Sequence, residues 1–137
     1  MNAHSQRSAN TLRLPIRAAG AIGIALVVNL ALSWITLRLG LVASTEFFRY
    51  PAVAVWTIIG MGGATLVYGT LTRRSATPDR TFVRIAAVVL VLSFVPDIGL
   101  GLTVDAVTAS EAIGLMMLHV PPAVVSVLAL PTTPLGR

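Results

Sequence analysis

Cysteine and lysine are both absent from this chain of 137 residues, and only five residues are acidic. The absence of cysteine excludes disulfides, thiolate metal sites and cysteine nucleophiles. Charged residues make up 11% of the chain, whereas soluble domains average about 25%. A chain this short must expose much of its surface, so a core cannot hide such an apolar composition. The composition therefore indicates that lipid surrounds most of the protein.

Four long apolar runs lie between charged residues, at 18–37, 50–72, 85–104 and 112–130. Each is close to the length of about 20 residues that a helix needs to cross a bilayer. We therefore predict a single all-α domain, a four-helix transmembrane bundle over 15–131, with helices at about 16–39, 51–72, 78–103 and 109–130. A disordered basic tail is expected over 1–14, and a short tail over 132–137.

Several residues mark the ends of these helices. Pro51 and Pro78 each suit the first turn of a helix, where the missing N–H costs nothing. Thr108 and Glu111 have the spacing of a capping box. Gly40 is suited to end the first helix, because glycine adopts the left-handed conformation found at many helix C-termini.

The arginines predict the orientation in the membrane. Eight of the ten lie in the N-terminal tail, the middle loop or the C-terminus: Arg7, Arg13, Arg17, Arg73, Arg74, Arg80, Arg84 and Arg137. The opposite side has only Arg38 and Arg49. Basic residues accumulate on the cytoplasmic side, so both termini and the middle loop are expected in the cytoplasm, with the protein in the plasma membrane. The arginines flank apolar runs rather than form one face, so no nucleic-acid partner is expected.

Polar residues occur at one level of the predicted bundle. Asp97 and His119 are ionisable residues within the third and fourth runs, and Asn29 and Thr57 lie in the first and second. Counting from the helix ends places all four about 10–13 Å below the outer surface. Ionisable groups inside a bilayer are costly and usually functional. We therefore predict an outer-half polar pocket lined by Asn29, Thr57, Ser93, Asp97 and His119.

Prolines lie beside this level and leave alternatives open. Pro96 precedes Asp97, while Pro121 and Pro122 follow His119, and each removes a helical hydrogen bond. The freed carbonyls can line a cavity, and Ser93 is placed to bond one of them. Alternatively, the third helix ends at Pro96 and leaves Asp97 in a wet loop. His119 could also simply hydrogen-bond a neighbouring helix.

Small residues four apart predict close helix packing. Ala19 and Gly23 form one such pair, and Gly60 and Ala64 form another. Packing within the chain is the favoured interpretation, and a homo-oligomer face or a membrane partner protein is the alternative. No metal or cofactor is expected, because one aspartate and one histidine are too few ligands for a metal site.

The chain resembles a family of small four-span prokaryotic membrane proteins of unknown function. The resemblance rests on ALVVNLALSW around Asn29, LSFVPD ending at Asp97 and MLHVPPAVV around His119, and it covers most of 14–131. It implies a membrane bundle and supplies no activity.

Three functions remain open from the sequence. The first is a non-enzymatic membrane protein that binds or passes a proton, or a small polar or lipidic molecule, through the polar pocket. The second is a structural or accessory subunit in which these polar residues only set helix register. We call Asn29, Thr57, Ser93, Asp97 and His119 together the polar layer. The third is a membrane-embedded enzyme in which Asp97 and His119 act as acid and base.

Overall fold

The computed structural model describes residues 3–42, 46–105 and 107–132, with side chains from residue 14 onward. The helices are α1 at Ala3–Arg38, α2 at Tyr50–Arg74, α3 at Pro78–Thr103 and α4 at Ala109–Ala129, with a short 3-10 helix at Glu46–Phe48. The described chain is thus an all-α four-helix bundle, as predicted.

Each helix includes a segment long and apolar enough to cross a membrane. These segments are Leu14–Arg38 and the whole of α2, α3 and α4, with mean hydropathy between 1.5 and 2.3. Large apolar side chains such as Trp56 and Leu128 are about 70% exposed on their outer faces. Such surfaces are stable against lipid, so the four candidate spans indicate a multi-pass membrane protein.

The helix ends follow the predicted signals. Thr108 and Glu111 form the capping box, in which the Glu111 carboxylate accepts from the Thr108 N–H at 2.8 Å. Gly40 has φ +66° after α1, and the Leu41 N–H donates to the Thr36 carbonyl at 3.0 Å. These are features of a Schellman motif, which satisfies the last carbonyls of a helix.

The first helix begins earlier than the start near residue 16 that the sequence predicts, and residues 1 and 2 of the predicted tail lie outside the described residues. The backbone is helical from Ala3, so residues 3–13 continue α1 beyond its apolar segment. Extending an existing helix needs no new nucleation, which is the costly step of helix formation.

Two clusters of buried side chains define the ends of the bundle. Ala18, Tyr68, Phe82 and Leu130 pack together beside the α2–α3 turn, at what we call the turn end. Val42, Phe48 and Leu115 pack together beside the α1–α2 and α3–α4 connections, at what we call the connection end. The four helices therefore alternate in direction.

The buried face of α1 is not the one predicted from small-residue pairs. Ala19 and Gly23 are exposed, and a Cβ added to Gly23 would meet nothing within 4 Å. From residue 14 onward, the buried residues of α1 are instead small or polar, namely Ala18, Ala21, Ala25, Asn29, Ser33 and Thr36. The predicted pair and the buried residues both have helical spacing. Packing of α1 against α2 and α4 buries the second set.

The prolines beside the polar residues, Pro96, Pro121 and Pro122, lie within helices rather than at their ends. Pro96 is inside α3, which continues to Thr103, and Asp97 is only 5% exposed. The alternative that placed Asp97 in a wet loop is therefore wrong. Helices in membranes tolerate proline because neighbouring groups satisfy the freed carbonyls.

Candidate functional site

A cavity of about 870 Å³ lies between α2, α3 and α4. Asn29 is the only lining residue from the part of α1 whose side chains are described, and Glu46 and Phe47 line the cavity at the connection end. The wall is mostly apolar and includes Trp56 and Val89, which are 71% and 56% exposed. The cavity is therefore accessible from the outer surface of the bundle.

All five residues of the predicted pocket line this cavity: Asn29, Thr57, Ser93, Asp97 and His119. Asn29, Thr57 and Asp97 are buried, whereas the His119 side chain is 41% exposed. Ser93 is partly buried, and its hydroxyl donates to the Leu90 carbonyl at 2.7 Å. Pro96 instead frees the carbonyl of Leu92, because proline removes the bond to the carbonyl four residues back, so Ser93 does not satisfy it.

Asn29 joins three helices at the inner side of the cavity. Its Nδ2 donates to Thr57 Oγ1 at 2.9 Å and to the Leu118 carbonyl at 3.0 Å. Leu118 lies four residues before Pro122, which has no N–H to donate to that carbonyl. The α1 side chain thus supplies the hydrogen bond that α4 cannot make for itself.

Asp97 and His119 form the second polar contact of the cavity. His119 Nδ1 lies 3.2 Å from Asp97 Oδ2 and 2.9 Å from the Leu115 carbonyl oxygen. A carbonyl oxygen can only accept, so the proton of the imidazole belongs on Nδ1. Nε2 makes no hydrogen bond with the described part of the chain, and in a neutral ring it carries a lone pair.

Two buried acceptor atoms of the polar layer lack hydrogen-bond donors among the described residues. They are Asn29 Oδ1 and Asp97 Oδ2, and the nearest polar contact of the latter is His119 Nδ1. Leaving a buried acceptor unsatisfied costs about 1–3 kcal/mol, and more for a charged group. Native proteins leave few such atoms, so these two need an explanation.

Ser126 and Gly60 are two further residues of the cavity lining that were not predicted to be there from the sequence. Ser126 is 2% exposed and lines the cavity, two helical turns after His119 on the same face of α4. The spacing of seven residues was a signal that could have found it. Gly60 was predicted to pack against a helix but instead lines the cavity, with open space where a Cβ would lie.

The chemistry of these groups is that of a hydrogen-bonding site. Among the side chains that the structure describes, no group of three histidine, aspartate or glutamate residues could hold a metal ion. The Leu115 carbonyl orients His119 through Nδ1, with Asp97 Oδ2 3.2 Å away, and a hydrogen bond at one ring nitrogen sets the tautomer of histidine in general. The partly exposed ring can then contact a molecule in the cavity.

A protein-family model, described as a family of unknown function (DUF6069), matches residues 9–134. The match covers most of the sequence, so the chain belongs to this family. Neither the curated proteins nor the solved structures include a match to the chain.

Proposed function

We propose that this member of a family of unknown function binds a small amphipathic molecule in the cavity between α2, α3 and α4. The polar part of the molecule lies against the Asp97–His119 pair, and its apolar part lies along the wall towards the turn end. The observation that supports this proposal is the continuity of one cavity from the polar layer to a long apolar wall.

The dimensions of the cavity suit a lipidic molecule. Its volume of about 870 Å³ lies within the range of small-molecule sites, about 300–1,000 Å³. Phe82 and Asp97 both line it, and the helical rise between them is about 22 Å. That length exceeds half the thickness of a bilayer core of about 30 Å, so an extended hydrocarbon chain fits along it.

A photoreactive probe tests this proposal. Wild-type protein in nanodiscs is irradiated with a diazirine derivative of hexadecanol, and the labelled peptides are mapped by mass spectrometry. We expect labelling on the α2 and α3 residues that face the cavity. Gly60→Leu should reduce this labelling, because its side chain would project into the cavity.

Gly62→Leu is the matched control for this experiment. Gly62 lies on the same helix, also has open space at its Cβ position, and is not among the residues lining the cavity. Its replacement should leave the labelling unchanged. Equal labelling of wild type and Gly60→Leu, or labelling outside the cavity, would contradict the proposal.

An accessory role is a second candidate, and the Asn29 junction favours it. The Asn29 side chain holds α1 against α2 and α4 through two hydrogen bonds, as a register-setting group would. Under this candidate, Asp97→Asn alters stability or assembly and leaves photolabelling unchanged. Under the binding proposal, Asp97→Asn lowers photolabelling at the cavity.

We also propose that the protein lies in the plasma membrane with both termini in the cytoplasm. Arg73, Arg74, Arg80 and Arg84 are exposed around the α2–α3 turn, which supports that orientation. The absence of cysteine makes single-cysteine labelling possible. An impermeant maleimide added to intact cells should label Asp105→Cys and not Ala76→Cys, and the reverse pattern would overturn the orientation.

The exposed small residues of α1 support a further proposal, contact with a second copy or with a membrane partner protein. Ala19, Gly20 and Gly23 leave open space on the outer surface of the helix. Disulfide crosslinking of Gly23→Cys in membranes tests the second copy. A monomer band alone, alongside a crosslinked positive-control dimer, would contradict that proposal.

A further inference from the structure

We infer that the head group of the bound molecule is a hydrogen-bond donor, either an ammonium or a hydroxyl group, and not a carboxylate. This inference rests on the proposed function, because it assigns the chemistry of a ligand in the same cavity. It follows from the balance of donors and acceptors in the polar layer.

The buried polar atoms without partners in this layer are acceptors. Asn29 Oδ1 and Asp97 Oδ2 have no hydrogen-bond donor in the described chain. The Asn29 amide cannot turn to exchange its ends, because Nδ2 is held by the Leu118 carbonyl, which can only accept. The acceptor Oδ1 is therefore fixed in place by α4.

His119 adds a third acceptor to the layer. Its Nδ1 faces two acceptors, the Leu115 carbonyl at 2.9 Å and Asp97 Oδ2 at 3.2 Å. With the proton on Nδ1, the neutral ring presents a lone pair at Nε2, which has no partner among the described residues. The His119 side chain is 41% exposed, so it is open to a ligand.

The charges around the cavity favour the same class of ligand. None of the described arginines lines the cavity, although the chain contains ten basic residues, all of them arginine. The acids that line it are Asp97 and Glu46, and Arg49 lies 3.3 Å from the Glu46 carboxylate at the connection end. A carboxylate ligand would meet unpaired acceptors, no guanidinium and, as a donor, a hydroxyl such as that of Thr57, whereas a donor ligand would satisfy groups that are now unpaired.

Competition by single-chain molecules that differ only in the head group tests this inference. Wild-type protein in zwitterionic nanodiscs is photolabelled with the hexadecanol probe in the presence of dodecylamine, dodecanol or dodecanoate. Competitor concentrations are corrected for the amount in the bilayer. We expect the amine and the alcohol to displace the probe at concentrations about tenfold below that of the carboxylate, which corresponds to about 1.4 kcal/mol.

The three competitors separate the possible outcomes. Displacement by the amine alone identifies an ammonium ligand, and displacement by both donors identifies a site for hydroxyl and amine head groups. Displacement by dodecanoate at an equal or lower concentration overturns the inference and leaves the proposed function standing. Failure of the probe to label the cavity in the absence of competitors overturns the proposed function itself.

A variant provides an independent test of the acceptors. Asp97→Asn keeps the shape of the side chain, removes its charge and adds an N–H donor. We expect the preference for amine over carboxylate to shrink in this variant, while Ser33→Ala leaves the preference unchanged. Ser33 is a suitable control because it is buried and lies outside the cavity lining, where it donates to the Phe48 carbonyl. An unchanged preference in folded Asp97→Asn would contradict a role for the carboxylate.

Discussion

Asn29 of α1 donates its side-chain amide to the Leu118 carbonyl of α4, at 3.0 Å, where Pro122 leaves that carbonyl without its helical partner. A defect in the hydrogen bonding of one helix is thereby corrected by the side chain of another. The cost of the proline is offset only when α1 and α4 are packed together, which couples the local chemistry of α4 to the tertiary structure.

The first prediction concerns this coupling. Asn29→Ala should lower the free energy of unfolding by about 1–3 kcal/mol, because the Leu118 carbonyl loses its donor. In a Pro122→Ala background the cost should be smaller, because the alanine introduced there has a backbone N–H that can donate to the Leu118 carbonyl. Unfolding by SDS titration in detergent micelles measures both values.

Pro121→Ala is the control for this double-mutant cycle. It restores the bond to the carbonyl of Met117 and leaves that of Leu118 unchanged, so Asn29→Ala should cost as much as in wild type. An equal cost of Asn29→Ala in all three backgrounds would show that the Leu118 contact is not what stabilises the junction.

The second prediction concerns the protonation of the imidazole ring. His119 should be protonated at Nδ1 and bare at Nε2 in the neutral state, because Nδ1 faces the Leu115 carbonyl and the Asp97 carboxyl. Nitrogen-15 NMR of histidine-labelled protein distinguishes the two tautomers. The chain has two histidines, so a His4→Gln variant assigns the signals. Nitrogen-15 chemical shifts that place the proton on Nε2 would contradict the geometry.

The third prediction concerns close packing at the connection end. A Cβ added to Gly114 would lie 2.8 Å from Phe48 Cζ and 3.0 Å from Val42 Cγ1. Gly114→Ala should therefore destabilise the fold by about 1–3 kcal/mol through overpacking, as measured by the same SDS titration.

Gly62→Ala is the matched substitution for Gly114→Ala. Gly62 lies inside α2 with nothing within 4 Å of its Cβ position, so alanine should stabilise the helix by about 0.5–1 kcal/mol. The changes in the free energy of unfolding are expected to have opposite signs in the two variants. A stabilising effect of Gly114→Ala would mean that Phe48 does not pack against α4 as described.

The fourth prediction concerns the turn end of the bundle. Tyr68 is buried, and its hydroxyl donates to Asp79 Oδ1 at 2.7 Å while its ring packs edge-on against Phe82. Tyr68→Phe keeps the ring and removes the hydroxyl, so it should cost about 0.5–1.5 kcal/mol in SDS titration.

Tyr50→Phe tests whether that cost comes from the buried hydrogen bond. Tyr50 begins the same helix and is 47% exposed, so removing its hydroxyl should change the unfolding free energy by less than about 0.5 kcal/mol. Equal effects of the two substitutions would contradict a stabilising role for the Tyr68–Asp79 contact.

The helices themselves could be predicted closely, because the signals are local. Apolar length determined the spans, and Pro78, Gly40 and the Thr108–Glu111 pair marked ends that the structure also has. The level of Asn29, Thr57, Asp97 and His119 along the spans followed from the constant rise of a helix. These inferences needed no knowledge of which helices touch.

The rotation of each helix about its axis could not be predicted in the same way. Ala19 and Gly23 have the small-residue spacing of a packing face, yet Ala18, Ala21 and Ala25 are the residues that α1 buries. A soluble helix reveals its buried face by its apolar stripe, whereas a span is apolar on every side, since lipid replaces water.

The sequence by itself therefore determined the all-α class of the fold and the number of its helices, and it predicted a common level for their polar residues. Only the tertiary structure decided that α3 passes through Pro96, that Asn29 meets the Leu118 carbonyl, and that His119 Nδ1 lies 3.2 Å from Asp97 Oδ2. Hydropathy and helix ends depend on neighbours along the chain, whereas these contacts depend on side-chain packing between helices that are distant in sequence.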